Sequence, residues 1–238
     1  MPGCCLQSTS APCAWKVGQN HGAGQVDVGE WMAQVLHHKG SVFVDRGLPG
    51  APISAQIRAG FLNGLHMDGP AIKNVGEFDG NYAQGPEQQG ISSLLVGHPN
   101  VSGVMTQGYC KPVFNAFKNA GKKAVPATCY GYNGELVACG RGGHQCAILT
   151  GSPVVVQIAM ELALKAVKGQ ATPAKSVTVP VPMTLYVTNK AAFHPRVHNV
   201  QVVQIVVGKN AYPNLAPGLA LPITLPRYHI TPQQAAGR

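Results

Sequence analysis

Arg46, Asp79, Tyr82, Gln107 and Tyr109 are the residues best placed to meet a ligand. Each falls in a turn just after a short apolar run. Together they supply hydrogen-bond donors, acceptors and aromatic faces, but no nucleophile beside a base. That set suits an uncharged, hydroxyl-rich ligand, whose hydroxyls both donate and accept and whose C–H faces lie flat on rings. Tyr82 follows the turn formers Asp79, Gly80 and Asn81, which puts its ring at a sheet rim as a stacking platform. Gln107 and Asn133 close runs of their own and bring amide groups to the same edge.

The elements that position these groups follow from periodicity. The runs 41–47, 72–78 and 101–107 are β-rich, and each ends in or is followed by a Gly- or Asp-bearing turn. Between them, Ile57, Phe61, Leu62 and Leu65 fit one helical face, as do Val113, Phe114 and Phe117. Strands alternating with helices of this length predict βαβ units in an α/β fold with a parallel sheet. Ligands of such sheets bind at the carboxyl ends of the strands, where the polar turns lie. A helix is expected over 26–38, with Val28, Trp31, Val35 and Leu36 on one face. A fourth strand is expected over 124–130, a loop over 136–146 and a buried strand over 146–150. Ser152 is a cap for a helix running through Lys168, with Val155, Ile158, Ala159, Leu162 and Ala166 as its apolar face. Residues 177–187 alternate and carry Pro180 and Pro182, which suits an edge strand or an extended crossover. From Ala191 the chain reads as irregular. Residues 1–16 have no period and read as a disordered tail.

Composition narrows the function. The 238 residues are 45% hydrophobic and 11% charged, a globular composition. The net charge of +9 comes from 18 Lys and Arg against 9 Asp and Glu. The basic residues are scattered, whereas a nucleic-acid footprint requires clustering, so no nucleic-acid partner is expected. Gly47-Leu48-Pro49-Gly50 lies between a strand and a helix, but it matches no phosphate-loop pattern, and Pro49 lacks one N–H such a loop needs. No G-x-S-x-G elbow or H-E-x-x-H pair is present, and the chain is not expected to be an enzyme. Of the 7 Cys, Cys110 and Cys129 read as buried free thiols within βα elements. Cys139, His144 and Cys146 offer three ligands where a structural metal site wants four, so no metal or other cofactor is expected. No secretory signal or membrane-length apolar stretch is legible; taken literally, the chain would stay in the cytoplasm.

Several phrases, in order, resemble a known family. Residues 42–50, the segment Leu94-Leu95-Val96-Gly97-His98-Pro99-Asn100, the turn Gly131-Tyr132-Asn133-Gly134, the helix 159–169 and Ile230-Thr231-Pro232 are similar to motifs of the sugar-binding periplasmic proteins of ABC importers, type I fold, of the ribose-binding kind. The likeness spans about residues 17–189. It implies two α/β lobes joined by three crossovers, a sugar in the cleft between them, a membrane permease as partner and a periplasmic location. Carried over residue by residue, it implies that Tyr82 stacks on the sugar, that Asn133 matches an acidic ligand residue, that Thr106-Gln107 is the strand end before another polar ligand, and that Asn20 belongs to a crossover. The family's binding Arg falls at Ile57, with Arg58 one place along. The polar ligand after Gln107 falls at Gly108, beside Tyr109, and the Gln before the last crossover falls at Gly151. The expected ligand set is therefore Asn20, Arg58, Tyr82, Gln107, Tyr109 and Asn133. The resemblance also implies that residues 17–150 form the second lobe with a crossover. Residues 151–238 would then hold a crossover helix of the first lobe, an edge strand and an irregular end, with the first lobe otherwise largely missing. A helix stranded in this way is expected to drive self-association through residues 152–168. The alternative reading is the effector-sensing domain of a LacI-type transcription repressor, which shares the fold.

Overall fold

The computed structural model describes residues 19–151, 154–170 and 183–220. Its centre is a seven-stranded sheet in the order β2-β1-β3-β4-β5-β6-β7. The strands are β1 (Ser41–Asp45), β2 (Lys73–Phe78), β3 (Gly103–Met105), β4 (Ala127–Tyr130), β5 (Cys146–Thr150), β6 (Met183–Val187) and β7 (Val200–Gln204). β1 to β5 are parallel, β6 runs antiparallel to β5, and β7 runs parallel to β6. The helices are α1 (His21–Val35), α2 (Pro52–Asp68), α3 (Gln84–Gly97), α4 (Lys111–Asn119), α5 (Asn133–Gly142) and α6 (Val154–Val167).

Alternation along β1 assigns the two faces. Val42 and Val44 pack with Trp31, Ile57, Phe61 and Leu65 of α1 and α2. Phe43 points the other way, into a cluster with Ile91, Leu95, Val113, Phe117 and Leu136 of α3, α4 and α5. The sheet is buried on both sides, as a parallel sheet requires. Asn20 caps α1 by accepting from the Ala23 N–H at 3.0 Å. α1 and α2 meet backbone to backbone, since a methyl group at Gly29, Gly60 or Gly64 would strike the facing helix's main chain.

Four expectations are corrected. Residues 133–142 are helical rather than loop-like. Leu136 and Cys139 lie three apart on the buried face, and the glycines that suggested a loop cluster at the end, where Gly143 adopts the left-handed conformation that stops the helix. β6 is interior to the sheet rather than at its edge, and Pro180 and Pro182 lie outside the described residues. Residues after Ala191 are not irregular throughout, because β7 closes the far edge. Finally, the buried cysteines are paired. Cys110–Cys129 ties the start of α4 to β4, and Cys139–Cys146 ties α5 to β5.

α6 is apolar on more than one side. Leu162 is buried and Val155 and Ile158 are partly so. A second stripe of Val156, Met160, Leu164 and Val167 is exposed, each more than half. The residues 1–16 and 171–182 lie outside the described set, as does the phrase 230–232.

Candidate functional site

Three buried carboxylates shape the carboxyl edge of the sheet. Asp45, the last residue of β1, accepts hydrogen bonds from the Gly47 N–H (2.7 Å), the Gly80 N–H (2.8 Å) and the Gln107 N–H (2.9 Å). One side chain thus ties together the loops after β1, β2 and β3. Glu87 accepts from the Tyr109 N–H at 3.0 Å. Glu135 accepts from the N–H groups of Cys110 and Lys111 at 2.8 and 3.0 Å. All three are fully or almost fully buried. Burial raises the pKa of each, and the nearby Asp45 charge raises Glu87 further, to about 9. At neutral pH Glu87 therefore keeps its proton.

Above this frame lies a hollow of about 280 Å³. Its walls are aromatic: Tyr82, Tyr109, Tyr130 and Tyr132, with Ile53 and Ile57 of α2. Tyr109 and Tyr132 stack with ring centres 5.3 Å apart, and Tyr130 meets Tyr132 edge-on at 6.2 Å. Tyr82 has a positive φ of 54° after Asn81 at 53°. A bulky residue held in that region marks a constrained position. The Tyr82 hydroxyl supplies the constraint, lying 2.5 Å from Ser54 Oγ and donating to Gln107 Oε1 at 3.3 Å. His21, at the start of α1, and the Gly108 backbone complete the rim. Burial lowers the His21 pKa and raises that of Tyr130, so both are neutral near pH 7.

The structure brings three of the expected ligand residues, Tyr82, Gln107 and Tyr109, to this hollow. Gln107 arrives with its amide occupied, since Nε2 donates to the carbonyls of Asp45 and Ser54 at 3.0 and 3.1 Å. The other three lie elsewhere. Asn20 is the exposed cap of α1. Arg58 is paired with Glu77 at 2.5 Å and lines a neighbouring hollow of about 640 Å³ beside Arg46 and Asp79. Arg46 and Asp79 form their own two-point ion pair there at 2.8 Å. The Asn133 amide is buried against the 212–216 segment. Its Nδ2 donates to the Tyr212 carbonyl and its Oδ1 accepts from the Tyr212 N–H, both at 2.8 Å. Sequence reasoning passed over His21, Ile53, Tyr130 and the ring of Tyr132. The Tyr-x-Tyr spacing at the end of β4 was the available signal, because Tyr130 and Tyr132 flank one turn glycine.

The Sγ atoms of Cys110, Cys139 and Cys146 lie within 4.8 Å of one another. As disulfides they offer no thiolate to a metal. His144 instead stacks on Phe114, 3.8 Å between ring centres.

A sequence profile of the periplasmic binding protein domain matches residues 5–171. The chain belongs to that family, and its mostly parallel sheet is the family's type I fold. Among solved structures it is similar to a galactofuranose-binding protein, with 18% identity, a TM-score of 0.67, and 78% of this chain and 66% of that one covered. It is similar to the periplasmic binding protein of the arabinose ABC transporter from Shewanella sp. ANA-3, with 17% identity, a TM-score of 0.65 and coverages of 75% and 61%. It is also similar to an ABC transporter periplasmic solute-binding protein from Actinobacillus succinogenes with bound D-allose, with 24% identity, a TM-score of 0.61 and coverages of 71% and 60%. The chain thus spans just under two thirds of these proteins' length or less. No curated protein matches the chain significantly. No helix among the described residues is long and apolar enough to cross a membrane.

Proposed function

We propose that this chain binds a mono- or small saccharide as the substrate-binding component of a sugar ABC importer. The observation that carries the proposal is the tyrosine-walled hollow at the carboxyl ends of parallel strands, held open by Asp45 and Glu87. Ring faces bury the C–H faces of a sugar, while hydroxyl tips offer hydrogen bonds. The ring set Tyr82, Tyr109, Tyr130 and Tyr132 is the core of the site. Gln107 stiffens Tyr82, and no group in the wall calls for chemistry beyond binding. In this reading residues 17–150 are the second lobe, β6 and β7 extend its sheet, and α6 belongs with a first lobe that closes over the ligand. Sugar favours the closed state because it touches both lobes. Two buried disulfides fit an oxidising compartment such as the periplasm, and delivery of the sugar to a membrane permease follows from the same reading. A thermal-shift screen against pentoses and hexoses tests the proposal. A bound sugar raises the midpoint with concentration. No shift with any sugar at millimolar concentration refutes it.

A further inference from the structure

The hollow is poorer in free polar groups than a site for a fully hydroxylated sugar requires, and the structure shows where those groups went. Ile57 stands where the resemblance implies an arginine, and its side chain lines the wall. Arg58, the next residue, is held away by Glu77. The Asn133 amide is consumed by the 212–216 backbone, and the Gln107 amide by Asp45, Ser54 and Tyr82. The carboxyl groups of Asp45 and Glu87 are buried and engaged with backbone N–H groups. No ionised side chain therefore faces the hollow among the described residues.

Few polar groups remain near the hollow, and several of them meet at one place. Gln19, His21, Tyr130 and Gly151 converge: a methyl group placed on Gly151 would touch the Tyr130 hydroxyl, Gln19 Oε1 and His21 Cε1. His21 Nδ1 and Gln19 Nε2 are buried with no hydrogen-bond partner among the described residues. Buried polar atoms of this kind are satisfied by a ligand or by water. Much of the remaining wall is Ile53, Ile57 and the Tyr82 ring, which can satisfy little. A hydroxyl pressed against it loses its water and gains no partner, whereas a methyl or an aromatic ring gains contact.

Resting on the saccharide reading above, we infer that this hollow selects an uncharged saccharide with an apolar portion in place of a hydroxyl, such as a 6-deoxy sugar or an aryl glycoside. It prefers that ligand to the fully hydroxylated sugar of the same configuration, and it rejects uronic acids and sugar phosphates. The remaining hydroxyls meet His21 and the tyrosine hydroxyls; the apolar portion meets Ile53, Ile57 and the Tyr82 ring. His21 suits this role because burial keeps the imidazole neutral, able to donate or accept.

The test is titration calorimetry on the whole chain with matched ligands. The pairs are galactose and 6-deoxygalactose, mannose and 6-deoxymannose in both enantiomers, and glucose and phenyl glucoside. Galacturonate and galactose 6-phosphate complete the panel. In each pair that binds, the deoxy or aryl member is expected to bind about tenfold tighter or more, the scale set by one unsatisfied buried hydroxyl. The two anions should give no heat. A hydroxylated member that binds as tightly as its partner, or an anion that binds, overturns this inference while leaving the saccharide reading intact. If no saccharide binds, or if free phenol alone binds, both fall. The variant Ile57→Arg should erase the preference and admit galacturonate. If it fails to fold, the matched pairs on the unaltered chain still decide.

Discussion

Glu87 should make this protein lose stability as pH rises through the neutral range. Its carboxyl is fully buried, and its folded pKa of about 9 stands far above its ordinary 4.5. Burial is the main cause and the Asp45 charge adds to it, while the Tyr109 N–H opposes. Unfolding lets Glu87 ionise at about pH 4.5. Between those two values the unfolded chain binds fewer protons than the folded one, so stability is fully present below about pH 4.5 and declines as pH rises towards 9. Each pH unit in that window removes about 1.4 kcal/mol. Burial lowers the pKa values of His21 and His144, which gives the opposite slope below about pH 6.5, and Asp27, raised by burial to about 6, adds to the fall only below that value. The clearest window is therefore pH 7 to 8.5, where Glu87 should remove about 2 kcal/mol, with Asp45 and Glu135, both raised by burial, acting in the same direction. That is a measurable fraction of the roughly 5–15 kcal/mol that stabilises a domain. Urea unfolding at several pH values, with the disulfides intact, reads it directly. In Glu87→Gln the amide oxygen still accepts from the Tyr109 N–H, position 87 no longer titrates, and the fall over that window should shrink by about 2 kcal/mol. An unaltered chain whose stability is flat from pH 7 to 8.5, or a variant with the same slope, would refute the claim that Glu87 keeps its proton.

Other perturbations probe separate parts of the structure. Tyr82→Ala should weaken saccharide binding by about 1–3 kcal/mol through lost ring contact, and Tyr82→Phe by much less; calorimetry that finds both variants unchanged removes Tyr82 from the site. Removing Cys110–Cys129, which spans 19 residues, should cost about 3 kcal/mol, and removing Cys139–Cys146, which spans 7, about 2 kcal/mol; peptide mapping under non-reducing conditions that finds these four as free thiols would contradict the pairing. The 238-residue chain should self-associate through the exposed stripe Val156, Met160, Leu164 and Val167 of α6. Light scattering should then find a monomer on Met160→Lys with Leu164→Lys, and an unaltered chain that is already monomeric would count against this contact.

The parts of the fold legible in the sequence were those whose signals are local. β1 is a short apolar run, α2 carries Ile57, Phe61 and Leu65 at helical spacing, and the succession of strand and helix specifies a parallel sheet. β6 and β7 were misread because their place depends on partners. Met183–Val187 becomes an interior strand by pairing with β5 on one side and β7 on the other, and no property of its own residues says so. The disulfides were missed for a similar reason. Cys110 and Cys129 come together only because α4 and β4 lie against each other, and Cys139 seemed to sit in a loop until its buried neighbour Leu136 placed both on a helix.

The site repeats this lesson in a sharper form. Position in a motif says which residue reaches the carboxyl edge, but not whether its polar atoms are free once there. Asn133 sits in the expected turn, yet its amide is matched to Tyr212, 79 residues further on. Gln107 reaches the hollow with every amide contact already taken by Asp45, Ser54 and Tyr82. Arg58 is one step from the implied position, and on a helix one step is a rotation of about 100°, enough to send its guanidinium to Glu77 and leave Ile57 in the wall. A hydrogen bond already made inside the protein must be broken before a ligand can use the same atom, which costs on the order of 1 kcal/mol or more. The residues free to recognise a ligand are therefore the ones left over: four tyrosine rings, two isoleucines and His21.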